Sequence, residues 1–409
     1  MAPKMTRKQK IGLILVISIL FTDELLYSII IPIIPYFTEQ LQISPAMTGI
    51  LFSSYAIAAL VSTPFFGILA DRAGRRVSIL AGLAILLFAT LMFAFSHSYW
   101  LLIASRFIQG IGAGAAWAAS LALLADLFPP KMRGRAMGLA LTGISTGTLL
   151  GAPIGGFIFE FVGYQWPFLF VAGLAAINFV LVLSLVPKAE KGSAPQQTEQ
   201  TNMLSLLQNR SVLFILSVIF VVSTTLCLLD PTLPLFFTER FHISSADIGI
   251  LFGVMTLANA LVSPVSGFLS DRYRPGSIML IGMAAIAVAS SAIALSQTLW
   301  QSTAAMILAG LGIGFALSPA MSHLGNVTGE DGSQAHGQTY ALSDMTFTAG
   351  MIMGPLIGGI ITEVWSVSAA LHLLALGLFL LVIVIFGVRR RKNAYKTPII
   401  QEQQNGNRH

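Results

Sequence analysis

Charge is what this 409-residue chain has least of: 10% of its residues are Asp, Glu, Lys or Arg, against roughly 25% in soluble domains. With 55% hydrophobic residues, too little polar surface is left to coat a water-soluble fold of this size, and that class is excluded. The single cysteine, Cys227, lies in an apolar run; one thiol builds no disulfide framework, thiolate metal site or CxxC redox pair. The six histidines, at 97, 242, 323, 336, 372 and 409, show no ligand spacing such as HExxH. Neither a metal nor an organic cofactor is expected. A formal charge of +6 would suit a nucleic acid, but basic residues beside apolar spans are accounted for by membrane insertion, so no such partner is expected. No nucleophile, base and oxyanion-binding set stands out, which argues against an enzyme.

What the chain has is apolar length. Runs lie near 11–38, 46–70, 77–96, 100–127, 135–162 and 166–187, then 211–238, 246–270, 277–296, 299–327, 335–363 and 367–388. Each reaches about 20 residues, enough for a hydrocarbon core of about 30 Å. The expectation is an all-α membrane protein with 12 transmembrane helices. The first run carries Asp23 and Glu24 and no small-residue cleavage pattern follows it, so it reads as a retained span and not a signal peptide. Of the 23 Lys and Arg residues, 21 lie in the amino-terminal segment, the even-numbered loops and the carboxyl-terminal tail, leaving Arg106 and Arg240. That asymmetry puts both termini in the cytoplasm. The expected division is a cytoplasmic tail at 1–10, a six-helix bundle at 11–187, a polar cytoplasmic linker at 188–210, a second bundle at 211–388 and a cytoplasmic tail at 389–409, with 401–409 lacking regular structure.

The halves repeat. Thr38-Glu39, Ile43-Ser44, Gly49-Ile50-Leu51-Phe52 and Gly67 with Asp71-Arg72 recur 200 residues later, as do Gly110, Gly112 and Gly114. Gly151, Gly155, Gly156 and Glu160 recur as Gly354, Gly358, Gly359 and Glu363. Six helices per repeat place both copies the same way up, so the repeats are parallel about an axis along the membrane normal.

Six segments carry a family resemblance. Gly67-Ile68-Leu69-Ala70-Asp71-Arg72-Ala73-Gly74-Arg75-Arg76 resembles the signature loop of the major facilitator superfamily, and Leu102 to Gly110, with Arg106 and Gln109, resembles its helix 4 motif. Gly143, Gly147, Gly151, Pro153, Gly155 and Gly156 resemble the helix 5 pattern of its drug/proton antiporters. Asp23-Glu24-Leu25-Leu26-Tyr27, Leu229-Asp230-Pro231 and Tyr340-Ala341-Leu342-Ser343-Asp344 are similar to the vesicular amine transporter branch. The resemblance implies the major facilitator fold and exchange of protons for cationic amines, with carboxylates at Asp23, Asp230 and Asp344. Two departures stand out: Tyr55 replaces a helix 2 lysine, and Asp230 replaces a glutamate. The long loop after the first span in the animal members is missing, which points to a bacterial exporter in the inner, or plasma, membrane. Its expected partners are a small cationic substrate, protons and the bilayer, with a monomer sufficient for the pathway.

A carboxylate at the bilayer centre costs about 2.5 to 3.5 kcal/mol on insertion scales, so each one needs a reason. Asp23 sits near mid-span, and Asp344 lies in the eleventh run beside Gly337, Tyr340, Thr348 and Met351 at helical spacing. Asp230 lies toward the outer part of the seventh run, where Pro231 and Pro234 interrupt the backbone ladder and are expected to loosen the helix. Asp71 matches Asp271 in the repeat, but Asp23 falls opposite the region of Val222, Asp230 opposite Ile30 or Ile31, and Asp344 opposite Leu141. The fold does not require these three, so they are expected to bind protons and the cation. Glu24, turned about 100° from Asp23, serves either helix packing or as a secondary carboxylate. Arg106, whose repeat partner is Met306, either holds a carboxylate or locks its helix to backbone carbonyls.

Tyr27, Tyr55, Trp117, Tyr340, Phe347 and Thr348 are candidates for the cavity wall, the aromatics offering ring faces to a cation or serving lipid contact and packing. Asp71, Arg72, Arg75, Arg76, Asp126, Arg133 and Arg135 gather at the cytoplasmic ends of spans. Positive-inside anchoring explains most of the arginines; the resemblance implies a charge latch. The helix 5 glycines fit either close packing or a sliding surface. Two rivals to amine antiport stay open: export of a neutral or anionic metabolite, with the carboxylates serving protons alone, and a receptor or scaffold that transports nothing.

Overall fold

Backbone polar groups in hydrocarbon must bond within their own segment, so long apolar runs become helices. The computed structural model describes the backbone of residues 5–187, 207–329 and 335–406, and the side chains of 5–129, 132–187, 207–325 and 341–386. Each of the twelve runs is one helix long and apolar enough to cross a membrane: α1 (Arg7–Leu41), α2 (Pro45–Ala73), α3 (Arg75–Ala94), α4 (Tyr99–Leu127), α5 (Met132–Val162), α6 (Gln165–Leu185), α7 (Arg210–Phe241), α8 (Ser245–Arg272), α9 (Pro275–Leu295), α10 (Leu299–Gly325), α11 (Ala341–Val364) and α12 (Val367–Phe386). The linker expected at 188–210 lies outside the described residues as far as 206. The last helix continues to Gly406, so 401–406 is helical where irregular chain was expected; extending an existing helix is cheaper than starting one.

The repeat is visible in local structure. Ser44 and Ser244 each cap the next helix, their hydroxyls accepting from Met47 N and Asp247 N, which satisfies amides that have no intrahelical partner. The residues ending the preceding helices, Gln42 (φ 51°) and His242 (φ 52°), are, among the described residues, the non-glycine ones in the left-handed region. Proline acts differently in the two halves. In α1 the helix gives way to a 3-10 turn at Ile31–Ile33, beside Pro32 and Pro35. α7 stays helical through Pro231 and Pro234, although its ladder lacks the two amides that proline cannot supply; neighbouring groups in a packed bundle can take up the freed carbonyls.

Within the halves α1 packs on α5 and α2 on α4, with α7 on α11 and α8 on α10 as their counterparts; between the halves α2 meets α11 and α5 meets α8. One buried cluster draws on both halves, through Tyr27, Phe37, Phe52 and Tyr55 on one side and Leu229, Phe236, Phe237 and Phe252 on the other. At the end carrying the termini there are instead two separate clusters, one around Val16, Leu83 and Leu124 and one around Ile219, Met283 and Ile313. The halves therefore share one core at the end of the odd-numbered loops and have separate cores at the other.

Two glutamates fasten the joined end. Glu363 of α11 accepts from Ser44 Oγ at 2.6 Å and Ala46 N at 3.0 Å, at the first turn of α2. Its repeat partner Glu160, on α5, accepts from Ala246 N at 2.9 Å, at the first turn of α8. Each is an anion on a helix amino terminus, where unpaired amides and the helix dipole favour it.

Candidate functional site

Asp23 lies near the middle of α1, 8% exposed, and one helical turn from Tyr27. Tyr55 of α2 donates to Asp23 Oδ1 at 3.1 Å. Tyr27 donates across to the other half, to Asp230 Oδ2 of α7 at 3.2 Å. The tyrosine rings are 5.7 Å apart between centroids. Two intramembrane carboxylates, one per half, are thus each held by a tyrosine, and the tyrosines touch.

Arg106 completes the arrangement. Its guanidinium carbon lies 4.7 Å from the Tyr55 ring centroid and 5.6 Å from those of Tyr27 and Phe52, inside cation–π range. Nη1 donates to Gln109 Oε1 at 3.2 Å, and Gln109 Nε2 donates to Thr90 Oγ1 at 3.4 Å. Among the described residues the ion pairs are those of Arg75 with Asp71 and Asp126. Neither expectation for Arg106 is met in this state: it pairs with no carboxylate and bonds no backbone carbonyl, because aromatic rings and a glutamine surround it.

Glu24 accepts from Thr148 Oγ1 of α5 at 3.3 Å and lies within Coulombic range of Asp23, Asp230 and Asp344, so the four carboxylates share one region. Asp344 is reached by solvent yet enclosed on most sides by protein, as on a cleft wall. Its backbone carbonyl accepts from Thr348 Oγ1 at 2.9 Å, which ties that threonine to the helix.

The remaining expected wall residues separate. Trp117 packs against the amino-terminal half's own cluster and Phe347 against the carboxyl-terminal half's, so neither joins the tyrosine pair; at their positions helix packing uses the ring. The side chain of Tyr340 lies outside the described residues. At the end of the termini Arg75 bonds Asp71, one turn away on the helical scale, and Asp126 Oδ2 of α4 at 2.9 Å. Arg76 donates to the Leu183 carbonyl and Arg133 to the Phe128 carbonyl at 3.0 Å; Arg72 and Arg135 are exposed. Every one of these bonds stays within the amino-terminal half.

The helix 5 motif divides by face. A methyl group at Gly143, Gly147, Gly151 or Gly155 would come within 3.0 Å of α1 atoms, whereas one at Gly156 would meet the Ser245 carbonyl of α8, and Pro153 lies against Gly249 and Gly253 of α8. The first stripe is packing within a half; the second is a surface between halves.

Phe52, Thr90, Thr148 and Asn178 were not anticipated. Asn178 is 1% exposed, accepts from Ser18 Oγ at 2.7 Å and donates to Thr22 Oγ1 at 2.8 Å, beside Asp23. A lone amide in the sixth apolar run was the available signal; Phe52 and Thr90 had none.

Comparison with known proteins agrees with this architecture. A model of the Major Facilitator Superfamily matches residues 16–229 and again 213–406. The chain is 32% identical over 331 residues to the chromaffin granule amine transporter of Rattus norvegicus, covering 80% of this chain and 62% of that protein. It is 29% identical over 316 residues to the synaptic vesicular amine transporter of Homo sapiens, covering 77% and 61%. The chain therefore spans less than two thirds of the length of these relatives. Among solved structures, a bacterial homolog of the human lysosomal transporter Spinster, inward-facing and unoccupied, superposes with a TM-score of 0.75 at 16% identity, covering 88% of this chain and 84% of the other. The nucleoside transporter NupG gives 0.73 at 17%, covering 93% and 99%. At such identities the likeness is one of fold.

Proposed function

Because this chain belongs to the Major Facilitator Superfamily, we propose that it is a proton-coupled antiporter exporting small amphipathic cations, amines or drugs among them. The observation that carries the reading is the pair of tyrosine-held carboxylates, Asp23 with Tyr55 and Asp230 with Tyr27, meeting where the two halves join. One anionic group cannot hold a proton and a cation together. Protonation from one side displaces the cation, deprotonation on the other restores the site, and rocking of the halves alternates access. Asp344 and Glu24 extend the acidic wall into the cleft, and the names of the amine-transporting relatives support an ammonium as cargo.

With the termini in the cytoplasm of a bacterial cell, the joined end faces outward and the end with separate cores opens to the cytoplasm, ready to load. Trp100 and Trp300, repeat partners 78% and 84% exposed, suit the lipid interface of the inner membrane. The Asp71–Arg75–Asp126 network, confined here to one half, is the cytoplasmic latch in its open position. A monomer holds the whole pathway.

Inverted membrane vesicles with an imposed pH gradient test the reading, using cationic, neutral and anionic compounds in parallel. Cation uptake that collapses with the gradient is expected. Uptake that survives its loss, or is driven by ATP or sodium, overturns antiport; selective uptake of neutral or anionic compounds overturns the substrate class.

A further inference from the structure

The ring of Tyr55 has a cation on its face and an anion at its hydroxyl. Arg106 lies 4.7 Å from the ring centroid, and Asp23 is bonded to the hydroxyl at 3.1 Å. Arg106 and Asp23 are within Coulombic range without forming an ion pair. Arg106 is 1% exposed, and its Nε and Nη2 have no hydrogen-bond partner. A guanidinium carries five N–H donors in a fork that matches a carboxylate, and leaving buried donors unused is costly. A better partner is therefore held by the same residue: Tyr55 carries Arg106 on its ring and Asp23 at its hydroxyl, with Tyr27 and Phe52 completing the aromatic bed.

We infer that Tyr55 is a positioning residue whose ring keeps the Arg106 charge off Asp23, so that the carboxylate stays available to a proton or a substrate ammonium. A direct Arg106–Asp23 pair would neutralise the empty site from within. An exchanger neutral when empty can reorient carrying neither cargo, which is a leak.

This inference rests on Asp23 as a cation site, and the experiment separates the two. Binding of tetraphenylphosphonium, whose charge does not titrate, is measured on the purified full chain. Tyr55→Phe keeps the ring and removes only the hydroxyl that holds Asp23, so its affinity should weaken by a few-fold; Tyr55→Leu also lets Arg106 close on Asp23 and should weaken binding by about 30-fold. In Tyr55→Leu/Arg106→Gln no charge remains to close, and affinity should recover to the level of Tyr55→Phe, which lacks the same hydroxyl. A phenylalanine variant as damaged as the leucine one, or a double variant that does not recover, overturns the proposal. If Tyr55→Leu does not accumulate in the membrane, Arg106→Gln decides, because the rings are untouched. With the repelling charge gone, binding should tighten by about 3-fold, and an unchanged or weaker affinity overturns the proposal. Wild-type protein that does not bind the probe, or Asp23→Asn binding like wild type, defeats the underlying cation-site reading instead.

Discussion

Tyr27 of α1 donates its hydroxyl proton to Asp230 of α7 at 3.2 Å, and that bond crosses between the two six-helix halves. It can exist only while the joined end stays closed around it. Tyr27→Phe should remove it while leaving the ring in place, costing about 0.6 to 2 kcal/mol by the range seen for interhelical bonds in membranes. A lower melting temperature in detergent, with cation binding weakened severalfold and not lost, is the expected result; an unchanged melting temperature would mean that the bond does not hold the halves.

Asp23→Asn and Asp344→Asn should each abolish gradient-driven export, since neither residue has a repeat partner to replace it. Insertion should be unharmed, each change removing an intramembrane charge that costs about 2.5 to 3.5 kcal/mol. In the wild type, acid protonates the carboxylates and cation affinity falls as pH falls. Titration of probe binding from about pH 8.5 to 5.5 should show that fall in wild type and a flatter curve in both variants. Wild-type pH dependence in both would make these carboxylates structural.

Glu160→Ala with Glu363→Ala should loosen the joined end, because each removes an anion from a helix amino terminus, worth about 0.3 to 1 kcal/mol apiece at exposed sites. Spin labels at Gln42 and His242, exposed positions on opposite halves, would report it. The distance distribution should gain a longer population; an unaltered distribution would show that the apolar contacts suffice.

Asp71→Asn should weaken transport and keep substrate binding, since Asp71 bonds Arg75 far from the tyrosine pair. Its side chain is 46% exposed, so stability should change by no more than about 1 kcal/mol. Lost binding at equal protein level would place Asp71 in the wrong role.

For the glycines of α5, Gly151→Leu should destabilise the fold by about 1 to 3 kcal/mol through overpacking against α1. Gly156→Leu, facing α8, should instead shift the spin-label distances above. Equal melting losses in both, with no shift in distance for Gly156→Leu, would remove the distinction between the two faces.

The helices and the repeat were legible because membrane insertion writes them as long apolar runs and because Gly49, Gly110 and Gly156 must let backbones touch wherever they recur. The carboxylates were legible because charge in an apolar run is conspicuous. What joins them was not. That Tyr55 faces Asp23 while Tyr27 reaches Asp230 depends on how α1, α2 and α7 are rotated about their axes, and residue spacing within one helix carries no information about its rotation against another. Trp117 and Phe347 show the converse, since an aromatic reads the same in a sequence whether it lines a cleft or fills a core. Arg106 was visible as an anomaly, but its neighbours come from three helices.

The three buried clusters also set an order for biogenesis. Those at the end of the termini draw on a single half each, so each half can complete that end as soon as its own six helices are in the bilayer. The third is shared: Phe37, Phe52 and Tyr55 await Leu229, Phe237 and Phe252, which are synthesised about 200 residues later. Until then the first half presents an unfinished apolar face with Asp23 at its edge, and it is that half-made chain, more than the finished one, that a membrane quality-control system would meet exposed.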